Sequence, residues 1–373
     1  MPKVKIPSRL IRVLRPLGLG IPLSREALAL SRSRLNTAVR LSNSPGRLAV
    51  IGCGVMGQTI ARATRLLDGW TITALHDMFP EMAQRMQTSL APQATLFDSL
   101  EALLENADLW DVLAIATTAD SHVTVANTAL KAGVRKIFLE KPIATSLADA
   151  DALIETAENS GARIAIDHTR RWIPSGRGLR RLIDSGAIGP IRSLHFTFGR
   201  AGFAMIGTHL FDFTRWLFEA DITKLSAELD DVMRSDRRGV RFIDQSGRCQ
   251  ALLSNGVRFT VDLSDDLALR QAFFVIFGER GRIEVDERLG RMRLIGYGGR
   301  VWEEGYSSLN AIELGVATAL FELHTGKPPR CTPRDGRAAL EAAIACQLSA
   351  RDGNQWVSLP LNGDIYHEQF PFA

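Results

Sequence analysis

The chain of 373 residues holds little cysteine, and what it holds is scattered: Cys53, Cys249, Cys331 and Cys346 form no CxxC pair. That spacing argues against a zinc site and a disulfide framework, and fits a reducing, cytoplasmic setting. Seven histidines are equally dispersed, with no HExxH and no His/Cys cluster, so no metal is expected. No run of eighteen apolar residues occurs, which leaves no candidate transmembrane helix. Internal repeats and low-complexity tracts are also missing. What remains, 46% hydrophobic and 23% charged residues, is the composition of a globular protein long enough for two domains.

Charge is unevenly placed. Residues 1–46 carry nine Lys/Arg against one acid, Glu26, a net +8; the total is +4, so the body is net −4. The basic character therefore belongs to an N-terminal extension. Arg12, Arg15, Pro16 and Pro22 interrupt its apolar residues, so it has no secretory h-region. It is read as an arm that packs on its own protein or on a sister subunit. Contact with a membrane surface, nucleic acid or an acidic partner is the alternative. Nothing in the body suggests nucleic-acid readout.

From residue 47 short apolar runs alternate with helical ones. "RLAVIGCG" (47–54), "TITALHD" (71–77), "ATLFDS" (94–99), "DVLAIATT" (111–118), "KIFLE" (136–140) and "RIAID" (163–167) read as strands. Helices between them imply an α/β doubly wound parallel sheet over 47–170. Past about 171 the pattern becomes α+β. Helices are expected near 175–186, 207–219, 308–325 and 334–350. The alternating runs "VRFID" (240–244), "CQALLS", "VRFTVDL", "AFFVIFG", "RIEV" and "RMRLIGY" suggest an open, mostly antiparallel sheet.

"GCGVMG" (52–57) leaves a strand and opens a helix, the context in which GxGxxG binds a dinucleotide. Gly52 permits the turn, Gly54 lets the pyrophosphate approach, and Gly57 lets helix and strand close. Val55 and Met56 lie within the loop. Asp77, twenty residues past Gly57 at the end of the second strand, is placed to accept the ribose hydroxyls. Met78, Phe79 and Pro80 follow it without a base, so NAD is favoured over NADP. Cys53 reads as a small buried filler.

Six ordered motifs, "GCGVMG", "IATTADSHVTVANTALKAG", "LEKPIATSLADA", "TRRWIP", "SGAIGPIRS" and "GTHLFDFTRWLF", resemble the Gfo/Idh/MocA oxidoreductases from about residue 47 to the C-terminus. The resemblance implies an N-terminal Rossmann domain (47–170) and a C-terminal substrate-binding and oligomerisation domain (171–373). It implies an NAD-dependent dehydrogenase acting on a sugar, sugar derivative or cyclitol, assembled as a homodimer or homotetramer through the C-terminal sheet. Lys141 matches the lysine beside the nicotinamide, Glu140 before it is expected at the cofactor as well, and Pro142 after it is expected to form a cis peptide. His209 matches the acid/base histidine. Thr117, Thr118 and His122 match the segment along the cofactor. Thr169, Arg171 and Asp212 are expected at the substrate.

One departure stands out. Met205 occupies the place where many members carry an aspartate four residues before the histidine. Either Lys141 and His209 suffice, or Asp212 or Asp167 substitutes in space, or the protein is a dinucleotide-binding sensor or scaffold with weakened catalysis.

Overall fold

The computed structural model describes residues 44–231, 239–265, 272–307 and 311–373; the expectation for the basic arm falls outside them, apart from residues 44–46. The first sheet begins with β1 (Arg47–Ile51), whose last four residues are buried. It continues through β2 (Thr71–His76), β3 (Thr95–Leu96), β4 (Val112–Ile115), β5 (Lys136–Leu139) and β6 (Arg163–Ile166). Its order is β3-β2-β1-β4-β5-β6, and every pairing is parallel. The order reverses between β1 and β4, which opens a crevice at the carboxyl ends of those strands. Helices α1 (Val55–Thr64), α2 (Pro80–Leu90), α3 (Leu100–Glu105), α4 (Ala119–Lys131) and α5 (Leu147–Ser160) connect the strands. Ser146 caps α5 by accepting the Asp149 N–H at 3.1 Å, and Gly161 ends it in the left-handed conformation.

After α6 (Pro174–Asp184) the chain builds a nine-stranded sheet. Its strands are β7 (Ile191–Thr197), β8 (Ile222–Leu229), β9 (Gly247–Leu253), β10 (Arg258–Asp262), β11 (Phe273–Gly278), β12 (Gly281–Asp286), β13 (Arg291–Gly296), β14 (Val301–Gly305) and β15 (Val357–Ser358). All pairings are antiparallel except β7 with β10, which is parallel because the chain crosses over α7 (Thr208–Phe218) and two strands before returning. The expected mostly antiparallel sheet is therefore present, but it is not a pure meander.

Several elements, among them the short β15, differ from the sequence reading. Residues 240–244 form no strand: Ile243 N–H bonds Pro371 O at 2.8 Å instead of a ladder partner. β8 carried no recognisable signal because Leu225, Ser226 and Ala227 are buried in succession, on both faces, so no alternation shows; α9 (Pro333–Arg351), an Ala-rich helix, packs on it. β14, "VWEEG", was also not anticipated; one Trp302 side chain is its buried contribution.

The last helices tie the sheets together. α8 (Ile312–His324) packs on α1 and on β4, β5 and β6, and Glu313 accepts from Arg62 Nε at 2.7 Å. α9 packs on α5 and β6 on one side and on α7 and β8 on the other. No helix among the described residues is long and apolar enough to cross a membrane.

Candidate active site

The glycine loop is fixed by sterics. Gly52 has φ +89°, and a Cβ there would lie 2.5 Å from the Ala116 carbonyl group. A Cβ on Gly57 would lie 2.0 Å from Gly52 O, so α1 could not close on β1. Gly54 meets nothing within 4 Å: its open side is the approach for a phosphate, at a helix N-terminus with no side-chain cap and no acid in its first turn. These features fit a dinucleotide.

Asp77 follows β2 directly. Its Oδ2 accepts the Cys53 N–H at 2.6 Å and its Oδ1 the Phe79 N–H at 2.9 Å. Each oxygen retains acceptor capacity for a ribose hydroxyl. Val55, Met78 and Phe79 are exposed around it, an apolar rim suited to an aromatic base. Cys53 is buried, and burial followed by the Asp77 charge pushes its thiol up to about 12, so it stays protonated.

Across the switch point, Thr117 and Thr118 leave β4. Thr118 Oγ1 donates to Asp120 Oδ1 at 2.5 Å, and Thr117 Oγ1 accepts from Ser121 at 2.8 Å. His122 was expected at the cofactor, but it is 1% exposed and its ring nitrogens face Pro142 O at 2.7 Å and Thr117 O at 3.2 Å. Burial holds it neutral, with its pKa lowered to about 4. A neutral ring has one N–H, so it donates to one of these carbonyls and packs against the other, and neither nitrogen faces the solvent.

Lys141 stands at the end of the neighbouring strand β5, and the Lys141–Pro142 bond is cis. Lys141 Nζ donates to Met205 O at 3.0 Å. Met205 lies in a π-helical turn, Phe203–Gly207, that leads into α7, the helix that carries His209. Asp244 caps this turn, accepting the Ala204 N–H at 2.8 Å and the Met205 N–H at 2.7 Å. Asp244 was missed at the sequence level; the only local trace is Gly202, where a Cβ would collide with its carboxylate at 2.0 Å. His209 is held well below its usual pKa, first by burial and then by Lys141, His168 and Arg170. It is a neutral base at neutral pH.

The expected substrate contacts were placed differently. Asp212 is fully buried and pairs with Arg171, Oδ1 at 2.6 Å from NH2 and Oδ2 at 2.9 Å from Nε. Arg171 also reaches Asp335 at 3.0 Å and Arg330 O at 2.7 Å. Thr169 is buried, donates to Asp167 Oδ1 at 2.7 Å, and packs so closely on Gly315 that a Cβ there would sit 2.3 Å from its methyl. These three polar groups are committed to the protein. Neighbouring Arg170 is likewise taken, in a buried two-bond pair with Glu287.

His168, Asp212 and Cys331 bring ligand-type atoms within 4.8 Å of one another. The Arg171 guanidinium already occupies Asp212 Oδ1, so the cluster reads as an ion-pair network in which a second cation would be repelled.

Comparisons with known proteins agree with this geometry. A model described as "Oxidoreductase family, NAD-binding Rossmann fold" (GFO_IDH_MocA) matches residues 46–168, and one described as "GFO/IDH/MocA C-terminal domain" matches 177–284. The chain is 28% identical over 346 residues to a D-apiose dehydrogenase of Paraburkholderia graminis, covering 82% of this chain and 88% of that protein. It is 26% identical over 334 residues to inositol 2-dehydrogenase 2 of Saccharopolyspora erythraea, covering 85% and 86%. Its fold is similar to that of an inositol dehydrogenase homologue from Azotobacter vinelandii complexed with NADH and myo-inositol. That likeness has TM-score 0.72 and 18% identity, and covers 86% of this chain and 99% of that one.

Proposed function

The chain belongs to the Gfo/Idh/MocA family of NAD-binding oxidoreductases, and on that premise we propose that it moves a hydride between NAD and a ring carbon of a sugar, sugar derivative or cyclitol. The observation that carries the reading is the bond from Lys141, at the end of β5, to Met205 O in the turn that leads into the His209 helix, on the same parallel sheet whose β1 enters the glycine loop. Named dehydrogenases of D-apiose and inositol among its relatives support the substrate class.

Gly52, Gly54, Val55, Met56 and Gly57 cradle the pyrophosphate, and Asp77 takes the adenosine ribose. Thr117 and Thr118 line the nicotinamide half. When bound, NAD accepts or supplies the hydride. Lys141 holds the substrate oxygen and takes its proton during oxidation. His209, neutral in its pocket and close enough to feel the Lys141 charge, is the group that moves that one proton onward. Asp244 and the Met205 carbonyl fix the turn and the lysine relative to each other.

A second reading is favoured only by Met205: a scaffold that binds NAD and turns it over poorly. Half-buried Phe273, Val275 and Phe277 on the outward side of β11 support association of copies through the large sheet. Four buried free thiols support a reducing compartment such as the cytoplasm.

The test is NADH formation followed by absorbance with a panel of aldoses, branched sugars and inositols, with NAD binding measured in the same sample. Turnover with a sugar or cyclitol is expected. Tight NAD binding with no turnover across the panel would favour the scaffold.

A further inference from the structure

Two carboxyl groups with no part in the scheme above meet beside Lys141. β5 and β6 are adjacent and in register, with Leu139 opposite Ile166. The next residues, Glu140 and Asp167, therefore leave neighbouring strand ends side by side. The Asp167 N–H donates to Leu139 O at 2.9 Å and holds those ends together. Glu140 is 3% exposed and Asp167 2%. Glu140 was expected to touch the cofactor; its side chain instead turns inward and hydrogen-bonds Asp167.

Two ionised carboxylates are acceptors only and cannot bond each other, so the contact contains a proton. Out of water, two full charges at this separation would also repel strongly. The bonds around the pair say where the proton sits. Asp167 Oδ1 already accepts from Thr169, as a carboxylate would. Glu140 Oε1 has no partner, which costs less for the carbonyl oxygen of a neutral acid than for an anion. Glu140 is thus the donor and Asp167 the acceptor.

We propose that Glu140 and Asp167 form a proton-holding carboxyl pair whose single negative charge sets the pH at which Lys141 takes the substrate's proton, the task left open by Met205. This rests on the dehydrogenase reading for Lys141. The pair positions and tunes; it does not touch substrate. Burial, then the Asp167 charge, hold Glu140 well above the usual carboxylate range while Lys141 pulls it back. Burial also raises Asp167, against its bonds from Glu140 and Thr169 and the Lys141 charge. Lys141 is the charged group that acts on both members. His122, His168 and His209 stand around that lysine and are kept neutral by burial.

The pattern across variants tests this. Glu140→Gln leaves Asp167 with the same single charge, so the limb of the kcat/KM pH profile governed by Lys141 stays close to wild type. Glu140→Gln with Asp167→Asn removes the charge, and the limb moves to lower pH by about one to three units, the usual effect of losing an opposite charge nearby. NAD affinity checks that both variants are folded. Independently of any substrate, the infrared difference spectrum between wild type and Glu140→Gln at neutral pH should show a protonated carboxyl lost. The subtraction removes Glu304, which burial alone raises to about 8. An unmoved limb in the double variant, or no protonated carboxyl in the difference spectrum, would overturn the proposal. The infrared result stands even if the dehydrogenase reading fails.

Discussion

At the dinucleotide end of the cleft, Asp77 stands among Val55, Met78 and Phe79, which are 80%, 78% and 55% exposed. At the substrate end, Asp212, His168 and Arg171 are 0%, 2% and 5% exposed, and the Asp212 carboxylate is taken up by the Arg171 guanidinium. The first end is a carboxylate with an exposed apolar rim. The second is a sealed electrostatic frame behind Lys141 and His209. Charge at the open end acts on the ligand. Charge at the closed end acts on stability and on the protonation of its neighbours.

That contrast is broken most severely at Asp212. Asp212→Ala leaves the Arg171 guanidinium buried with Asp335 as its remaining carboxylate. Removing one partner of a buried pair costs about 3–5 kcal/mol. The urea midpoint should drop accordingly, whereas Asp77→Ala, which strands only the Cys53 and Phe79 N–H groups, should move it less. An Asp212→Ala protein as stable as wild type would show that the frame is not structural.

Acid probes the same end by a different route. His122 and His168 are both lowered to about 4 by burial, from an ordinary 6.5. Between those values the unfolded chain binds protons that the native state refuses, so stability is complete above about 6.5 and falls as pH approaches 4. Each ring contributes up to about 3 kcal/mol to that slope, at 1.36 kcal/mol per unit. Unfolding measured across this range in His122→Gln should show a shallower acid slope; an unchanged slope would mean that His122 is not the neutral ring described. Glu140 has the opposite sign: its raised pKa makes native stability decline as pH climbs above the ordinary carboxylate range.

At the open end the effects are smaller and appear in binding. Asp77→Ala should weaken NAD about tenfold to a hundredfold, the range for a charged hydrogen bond of 1.5–3 kcal/mol. Calorimetry reads this directly, and an unaltered Kd would remove Asp77 from the ribose site. Smallest of all is Arg47→Ala. That residue bonds Asp111 at 2.8 Å but is 47% exposed, so thermal unfolding should register at most about 1 kcal/mol.

The same contrast explains what could be read from sequence. GxGxxG, the acid twenty residues on and the strand-ending Lys141 are local patterns, and the backbone delivers each to the crevice by strand register alone. Arg171 and Asp212 are residue types that suit a substrate, but 41 positions separate them in the chain and nothing local says that they face each other. His122 carries a chemistry-bearing ring in the right segment, yet its two carbonyl neighbours come from Thr117 and Pro142, the second from beyond the adjacent strand β5. Asp244 sits in a run that alternates like a strand; only the π-helical turn it caps makes it a loop residue. Burial and long-range pairing decided these cases, and composition and periodicity report neither.

The central claim is that holding the cofactor and moving the proton are separable tasks, with Lys141 doing the second. Lys141→Met tests it in one sample, by calorimetric NAD affinity and by turnover on the sugar or cyclitol that the panel identifies. The account predicts an NAD Kd within about twofold of wild type and turnover lower by about a hundredfold or more, the size of a lost general acid–base group. Unchanged turnover, or affinity lost in step with turnover, would contradict it.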